Sequence, residues 1–121
     1  MYYHDTDAGG VVYYAAYWKF LEEGRTEFCA RCGCDVGEMF NQGIAFVVVH
    51  AEADYKSPAR YGDTVSVHTR VDSVGNSSIR FSQEITRGGA LLVAAKVVWA
   101  CVSRDFKTQK VPDRVRAAIA P

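Results

Sequence analysis

The 121-residue sequence has no excess of charge of either sign, because 14 lysines and arginines balance 14 aspartates and glutamates. A nucleic-acid-binding surface needs a basic field and a membrane-surface tract needs clustered cations, so neither kind of partner is indicated. Apolar residues never run for the ~20 positions that a membrane-spanning helix requires. The first residues also lack the charged and apolar regions of a secretory signal. We therefore expect a cytoplasmic protein with no membrane span and no nucleic-acid partner.

The cysteines are few, and their spacing gives little support for a metal or redox site. Cys29 and Cys32 form a C-x-x-C pair, Cys34 follows closely, and Cys101 lies far along the chain. A thioredoxin-like pair opens a helix after a strand, whereas this pair falls near the end of a helical pattern. No histidine lies nearby to complete a zinc site. We expect free thiols and no metal.

The sequence also lacks the usual serine and cysteine motifs of hydrolases, and it has few histidines. It contains no G-x-S-x-G elbow, and no cysteine has a context that pairs it with a base. His50 and His68 fall inside predicted strands, where exposed side chains are common, while His4 could approach a site at the acidic turn that follows it. An aspartate is the remaining candidate for the group that handles the proton or attacks the substrate.

The length and the ordinary apolar fraction predict a single domain over residues 1–121, large enough for a core without disulfides. Residues 12–31 show helical spacing of apolar side chains, and Gly33 provides a stop. A short helical turn is predicted over residues 36–40. The apolar positions of the long helix are Tyr13, Tyr17, Phe20, Leu21 and Phe28, and the polar positions on or beside its opposite face are Lys19, Glu22, Glu23 and Arg25.

Four strands are predicted after the long helix, over residues 45–56, 64–74, 78–86 and 90–102, with a stub strand over residues 1–4. Short links between the later strands predict antiparallel pairing, and the continuously apolar last strand is expected to be central. After Pro112, a short helix should place Val115, Ala118 and Ile119 on one face. One long helix covered by a single antiparallel sheet is an α+β layout.

The chain is organised around the acidic turn that leads into the long helix. Asp7 precedes Gly9 and Gly10, which permit unusual backbone angles and close approach of a ligand. The helix that follows presents unpaired N–H groups, which attract developing negative charge. An aspartate beside such donors suits acyl transfer, although an aspartate in this position also serves as an ordinary helix cap.

The run D-T-D-A-G-G-V-V-Y-Y-A-A-Y at residues 5–17, continued by K-F-L-E-E-G-R-T-E at residues 19–27, resembles the opening motif of the 4-hydroxybenzoyl-CoA thioesterase-like hotdog family. It is most similar to the Tol-Pal-associated acyl-CoA thioesterase (YbgC-like) branch. The run D-Y-K-S-P-A-R-Y-G-D at residues 54–63 extends the resemblance over nearly the whole chain. The resemblance implies a hotdog fold, in which one helix is wrapped by a single antiparallel sheet.

The resemblance also implies the activity and its residues. The expected reaction is hydrolysis of an acyl-CoA thioester to a carboxylic acid and CoA, with Asp7 as general base or nucleophile. The backbone N–H of Tyr14 would polarise the carbonyl, and Gly10, Val11 and Ser78 would contact the substrate. No cofactor is implied, since CoA is part of the substrate, and the site is expected between subunits of a dimer or tetramer. Many members of the branch have histidine where this chain has Tyr14, so a side-chain role there is not expected.

Two other functions are compatible with the same sequence. A hotdog hydroxyacyl-thioester dehydratase needs a histidine base, and here tyrosine follows the acidic turn. A non-catalytic acyl-CoA or acyl-carrier binding module would use the same pocket without Asp7. The cations that could meet CoA phosphates are Lys56, Arg60, Arg80, Lys96 and Lys107.

Overall fold

The structure is a computed structural model that describes residues 14–60 and 62–121. The predicted stub strand and the first two positions of the predicted helix lie outside the described residues. The helices are α1 (Tyr14–Arg31), α2 (Val36–Asn41) and α3 (Asp113–Ile119), and the strands are β1 (Ala45–Tyr55), β2 (Ser66–Val74), β3 (Ser78–Arg87) and β4 (Ala90–Val102). None of the described helices is both long and apolar enough to cross a membrane.

The four strands form one antiparallel sheet in the order β1-β4-β3-β2. The strand β4 lies inside the sheet, which confirms the position predicted from its continuous apolar run. The links β2–β3 and β3–β4 are hairpins, as their short connections predicted. Among the described strands, β1 and β2 are the edges.

The helix α1 packs on one face of this sheet through two apolar clusters. Near its first turns, Tyr17 and Leu21 pack with Ile85 and Val93. Near its last turns, Cys29 belongs to a cluster that also includes the α3 residues Val115 and Ile119. The predicted α+β arrangement of one long helix on a single antiparallel sheet is therefore confirmed, and the two ends of α1 lie over opposite ends of β3.

The end of α1 follows from a local backbone motif. Gly33 has φ +86°, which glycine adopts without a side-chain penalty. The N–H of Cys34 donates to the carbonyl of Cys29 at 2.8 Å, and the N–H of Gly33 donates to that of Ala30 at 3.0 Å. This pair of bonds is a Schellman motif, so the predicted stop at Gly33 is confirmed. In α3, Val115 and Ile119 are buried as predicted, whereas Ala118 is exposed.

One residue of α1 faces the opposite way from the prediction. Arg25, expected on or beside the polar face, is only 4% exposed. Its Nη1 donates to Oε1 of Gln83 at 2.8 Å, and its guanidinium lies 5.8 Å from the ring centre of Trp99. Burial lowers the pKa of Arg25. The amide oxygen and the ring face accommodate a cation that helical periodicity alone assigns to solvent.

The close approach of α1 to β2 depends on Gly24. A Cβ built there would lie 2.7 Å from Cγ1 of Val67 and 3.2 Å from Oγ1 of Thr69. The amide of Gln83 holds the same region, since its Nε2 donates to the carbonyl of Leu21 at 2.8 Å and to Thr69 at 3.0 Å. The backbone of α1 at Gly24 therefore lies directly against the side chains of β2, with no room for a side chain between them.

Gly24→Ala is therefore expected to destabilise the protein, although alanine is favoured over glycine in a helix by ~1 kcal/mol. The overlap with Val67 forces a shift of the helix, and overpacking of this kind typically costs ~1–3 kcal/mol. Thermal unfolding followed by circular dichroism measures the difference. The control is Thr26→Ala at an exposed position of the same helix, which should raise the melting temperature slightly. A rise of the melting temperature in both variants would contradict the close packing at Gly24.

Candidate active site

Tyr14, in the first described turn of α1, and Ser78, in β3, are the predicted site residues that the structure describes. Tyr14 is the first described residue of α1, and residues 1–13, which precede it, lie outside the described residues. The role of the Tyr14 N–H as an oxyanion donor stays a prediction. Asp7, Gly10 and Val11 lie outside the described residues, and their roles stay predictions. His4 lies outside them too.

Tyr17 joins this first turn to the segment that follows β1. Its side chain is 2% exposed, and its phenol oxygen accepts a hydrogen bond from the backbone N–H of Ala59 at 2.8 Å. The ring of Tyr55, at the end of β1, lies 5.7 Å from the ring of Tyr17 between centres. Ala59 is itself completely buried. The start of α1 and the segment after β1 therefore form one packed unit.

The segment 56–60 is held by hydrogen bonds from three directions. The N–H groups of Lys56 and Ser57 both donate to the carbonyl of Leu92, at 2.7 and 3.2 Å. The N–H of Ala59 donates to Tyr17, and the N–H of Arg60 donates to Asp63. Since proline has no N–H, every backbone donor of residues 56–60 has a partner.

Asp63 closes the far end of this loop. Its Oδ2 accepts the N–H of Arg60 at 2.7 Å and Nη1 of Arg87 at 2.9 Å. The bond from the Arg60 N–H, followed by that from the Arg87 side chain, lowers the pKa of Asp63. Gly62, with φ +89°, makes the turn between them. The resembling run at residues 54–63 signalled this loop, but its clamps to Tyr17 and Arg87 had no signal in the sequence.

The five cations proposed for CoA phosphates are separated by the fold. Lys56 and Arg60 are exposed on the loop beside the start of α1. Arg80 and Lys96 are exposed in β3 and β4, on the face of the sheet that α1 does not cover. Lys107 follows β4, near the end of the sheet where Ala45 pairs with Val102. Of these five, Lys56 and Arg60 are the two that flank the first turn of α1.

Ser78 lies at the other end of the sheet from the start of α1. It is the first residue of β3 and is half-buried beside the turn at Gly75, whose N–H donates to its carbonyl at 2.8 Å. Its neighbour Ile79 packs in the cluster around Cys29, whereas Ile85, near the end of the same strand, packs beside Tyr17. One chain therefore does not bring Ser78 and Tyr14 together.

The thiols and the described histidines have environments that suit structural roles. All four cysteines are unpaired, and burial raises the pKa of Cys29 to about 12, so its thiol stays protonated. His50 and His68 are exposed, as expected for residues of edge strands. The part of the chain that the structure describes contains no group of three or more side chains able to hold a metal ion.

A cleft of about 330 Å³ lies on the sheet face that α1 leaves open. Its walls contain cations and anions together, as in Arg70 and Lys96 beside Glu52 and Glu84. Small side chains such as that of Ala94 form part of its lining. The mixture of charges distinguishes this cleft from the apolar contact between the sheet and the start of α1.

Known proteins similar to this chain are thioesterases or share their fold. The sequence profile of the thioesterase-like superfamily matches residues 3–119. The acyl-CoA thioester hydrolase YbgC of Escherichia coli O6:H1 is 38% identical over 119 residues, which is 97% of this chain and 89% of that protein. The match includes most of the segment that the structure does not describe.

Two solved structures have the same fold. The hypothetical protein TT1821 from Thermus thermophilus superposes with a TM-score of 0.93 and 28% identity, covering 98% of this chain and 92% of that one. A 1,4-dihydroxy-2-naphthoyl-CoA thioesterase from Synechocystis superposes with a TM-score of 0.90 and 24% identity, covering 98% and 90%. The hotdog fold and the family resemblance predicted from the sequence are confirmed.

Proposed function

Because this chain is a thioester hydrolase that belongs to the thioesterase-like superfamily, we propose that it hydrolyses acyl-CoA thioesters to a carboxylic acid and free CoA. The observation that carries this proposal is the extent of the likeness to an acyl-CoA thioester hydrolase, which includes the acidic turn and the whole of α1. The geometry of the described residues is compatible with it, since the first described turn of α1 lies beside a fixed loop with two exposed cations.

In the proposed reaction, Asp7 acts in one of two ways. As a general base, it takes a proton from water while the water oxygen attacks the thioester carbonyl carbon. As a nucleophile, its carboxylate attacks that carbon, releases CoA as a thiolate, and forms an anhydride that water then hydrolyses. Both routes pass through a tetrahedral oxyanion, and the CoA thiolate leaves and is protonated.

The oxyanion is stabilised in this proposal by the backbone N–H of Tyr14. A donor at the start of a helix is aimed by the backbone and assisted by the helix dipole. Gly10 and Val11 would line the path of the thioester, where the absence of a side chain at residue 10 permits close approach. No metal or organic cofactor is required in this proposal, because the Asp7 carboxylate acts as base or nucleophile and the Tyr14 N–H stabilises the oxyanion.

The test is release of free CoA thiol from a panel of short aliphatic, long aliphatic and aromatic acyl-CoAs, followed with a thiol reagent. A hydrolase releases one thiol per carboxylic acid formed. Binding without release would indicate the non-catalytic binding module, and hydration of an enoyl-CoA would indicate the dehydratase. Either result would contradict the proposal.

We also propose that the protein forms at least a dimer and assembles as a tetramer. The strand β1, an edge among the described strands, exposes the consecutive apolar residues Val48 and Val49, at 50% and 61%. Such an edge favours pairing with a second chain. A site shared between subunits would also give Ser78 a route to the substrate from the neighbouring chain.

Light scattering is expected to show a tetramer at working concentration, with a dimer as the smallest species. Val49→Lys should shift the protein toward monomer, because a lysine on an edge strand opposes further strand pairing. The control is Ala118→Lys at an exposed position of α3, which should leave the mass unchanged. A monomeric parent protein would contradict the assembly.

A further inference from the structure

The phenol oxygen of Tyr17 is a polar atom on a fully packed side chain at the base of the proposed active site. The ring lies inside the apolar cluster at the start of α1, where phenylalanine would fill the same space. What the oxygen adds to a phenylalanine ring is the acceptance of the Ala59 N–H at 2.8 Å. That bond joins two segments 42 positions apart.

We infer that Tyr17 is a positioning residue for thioester hydrolysis, and that its phenol oxygen fixes the first turn of α1 against the loop 56–60. This inference rests on the proposed function, because it concerns the donor at Tyr14. Tyr17 lies three positions after Tyr14 in α1, so the hydrogen bond constrains the helical turn that contains the proposed donor.

The loop is a suitable anchor because it is fixed independently of Tyr17. The carbonyl of Leu92 accepts the N–H groups of Lys56 and Ser57, and Asp63 with Arg87 holds the other end. A hydrogen bond from Ala59 therefore ties the start of α1 to the sheet through β4 and to the end of β3. A helix start without such a tie frays readily, whereas an oxyanion donor must keep its position to within a fraction of an ångström.

Removing the phenol oxygen leaves a buried N–H without its acceptor. Ala59 is completely buried, so water has no direct access to replace the lost partner. The loop and the helix start must separate slightly to hydrate that N–H group. The donor at Tyr14 then moves relative to the reacting carbonyl, and displacements of ~1 Å lower turnover by up to ~10²-fold.

The expected result for Tyr17→Phe is a fall of kcat by about 10-fold to 100-fold with KM changed little. A fall of kcat without a rise of KM is the diagnostic result, because the lost hydrogen bond positions the proposed oxyanion donor. Lys56 and Arg60, the two cations of the loop, stay held through Leu92 and Asp63. Amide exchange of Ala59, followed by NMR, should accelerate in the same variant. Rates are measured at a temperature where circular dichroism shows each protein fully folded.

The matched control is Val115→Ala, which removes buried side-chain volume in α3 at the opposite end of α1. It should lower the melting temperature and leave kcat at the parent value. Asp63→Asn provides a second variant that loosens the same loop from the β3 side without altering the core around Tyr17. It should lower kcat in the same direction by a smaller factor.

Unchanged kcat in Tyr17→Phe would overturn the inference, and so would an equal fall of kcat in Val115→Ala. A raised KM with parent kcat in Tyr17→Phe would also overturn it, because the loop would then act in substrate binding alone. A parent protein that releases no thiol from any acyl-CoA overturns the proposed function and the inference together. An active parent with an unaffected Tyr17→Phe variant overturns the inference alone.

Discussion

Asp7→Asn is expected to lower thioester hydrolysis by ~10²–10⁴-fold while the protein remains folded. Asparagine is nearly isosteric with aspartate and still caps a helix, so the local structure is preserved. It can no longer take a proton from water or attack a carbonyl carbon. The measurement is the steady-state release of CoA thiol from the best acyl-CoA of the panel, with circular dichroism to compare the folded state.

Asp5→Asn is the control for this prediction, because Asp5 belongs to the same acidic turn. If the hydrolysis depended only on the negative charge of the turn, Asp5→Asn and Asp7→Asn would lose similar activity. We expect Asp5→Asn to keep most of it. An Asp7→Asn variant that is folded and hydrolyses its substrate near the parent rate would reduce Asp7 to a helix cap and contradict the proposed mechanism.

The parts of the fold that the sequence predicted are those decided by local patterns. Strand β4 is recognisable because an interior strand is apolar on both faces. The end of α1 is recognisable because glycine is the residue that best adopts the angles found at Gly33. Each of these signals depends on residues adjacent in the chain, so a single sequence contains them.

The features that the sequence did not predict depend on partners far along the chain. Arg25 looks like a surface residue until Gln83 and Trp99 are brought against it by the sheet. Tyr17 looks like an apolar helix position until its oxygen meets the N–H of Ala59. No local pattern marks these partners. The N–H of Ala59 in particular has no sequence signal, because every residue except proline has a backbone N–H.

The candidate site divides in the same way. The acidic turn and its glycines are adjacent in the chain, so the sequence alone is enough to propose Asp7 and Gly10 as site residues. The placement of Lys56 and Arg60 near the start of α1, and of Ser78 at the far end of the sheet, follows from strand order and register. Register is a property of the paired strands, so spacing along one strand does not reveal it.

The role proposed for Tyr14 belongs to its peptide N–H, so its side chain should matter little. Tyr14→Phe is expected to retain most activity, because the backbone donor is unchanged. Tyr14→Pro removes that donor, and loss of one oxyanion-hole donor typically costs ~10²–10³-fold in turnover. An N–H that serves as an oxyanion donor has no partner within the helix, so proline at that position should be tolerated.

Steady-state rates of the two variants separate the backbone role from a phenol role. Circular dichroism and the melting temperature establish that Tyr14→Pro keeps the helix, so that a lost rate reports the lost donor. An inactive Tyr14→Phe beside an active Tyr14→Pro would overturn the assignment, because the catalytic group would then be the phenol.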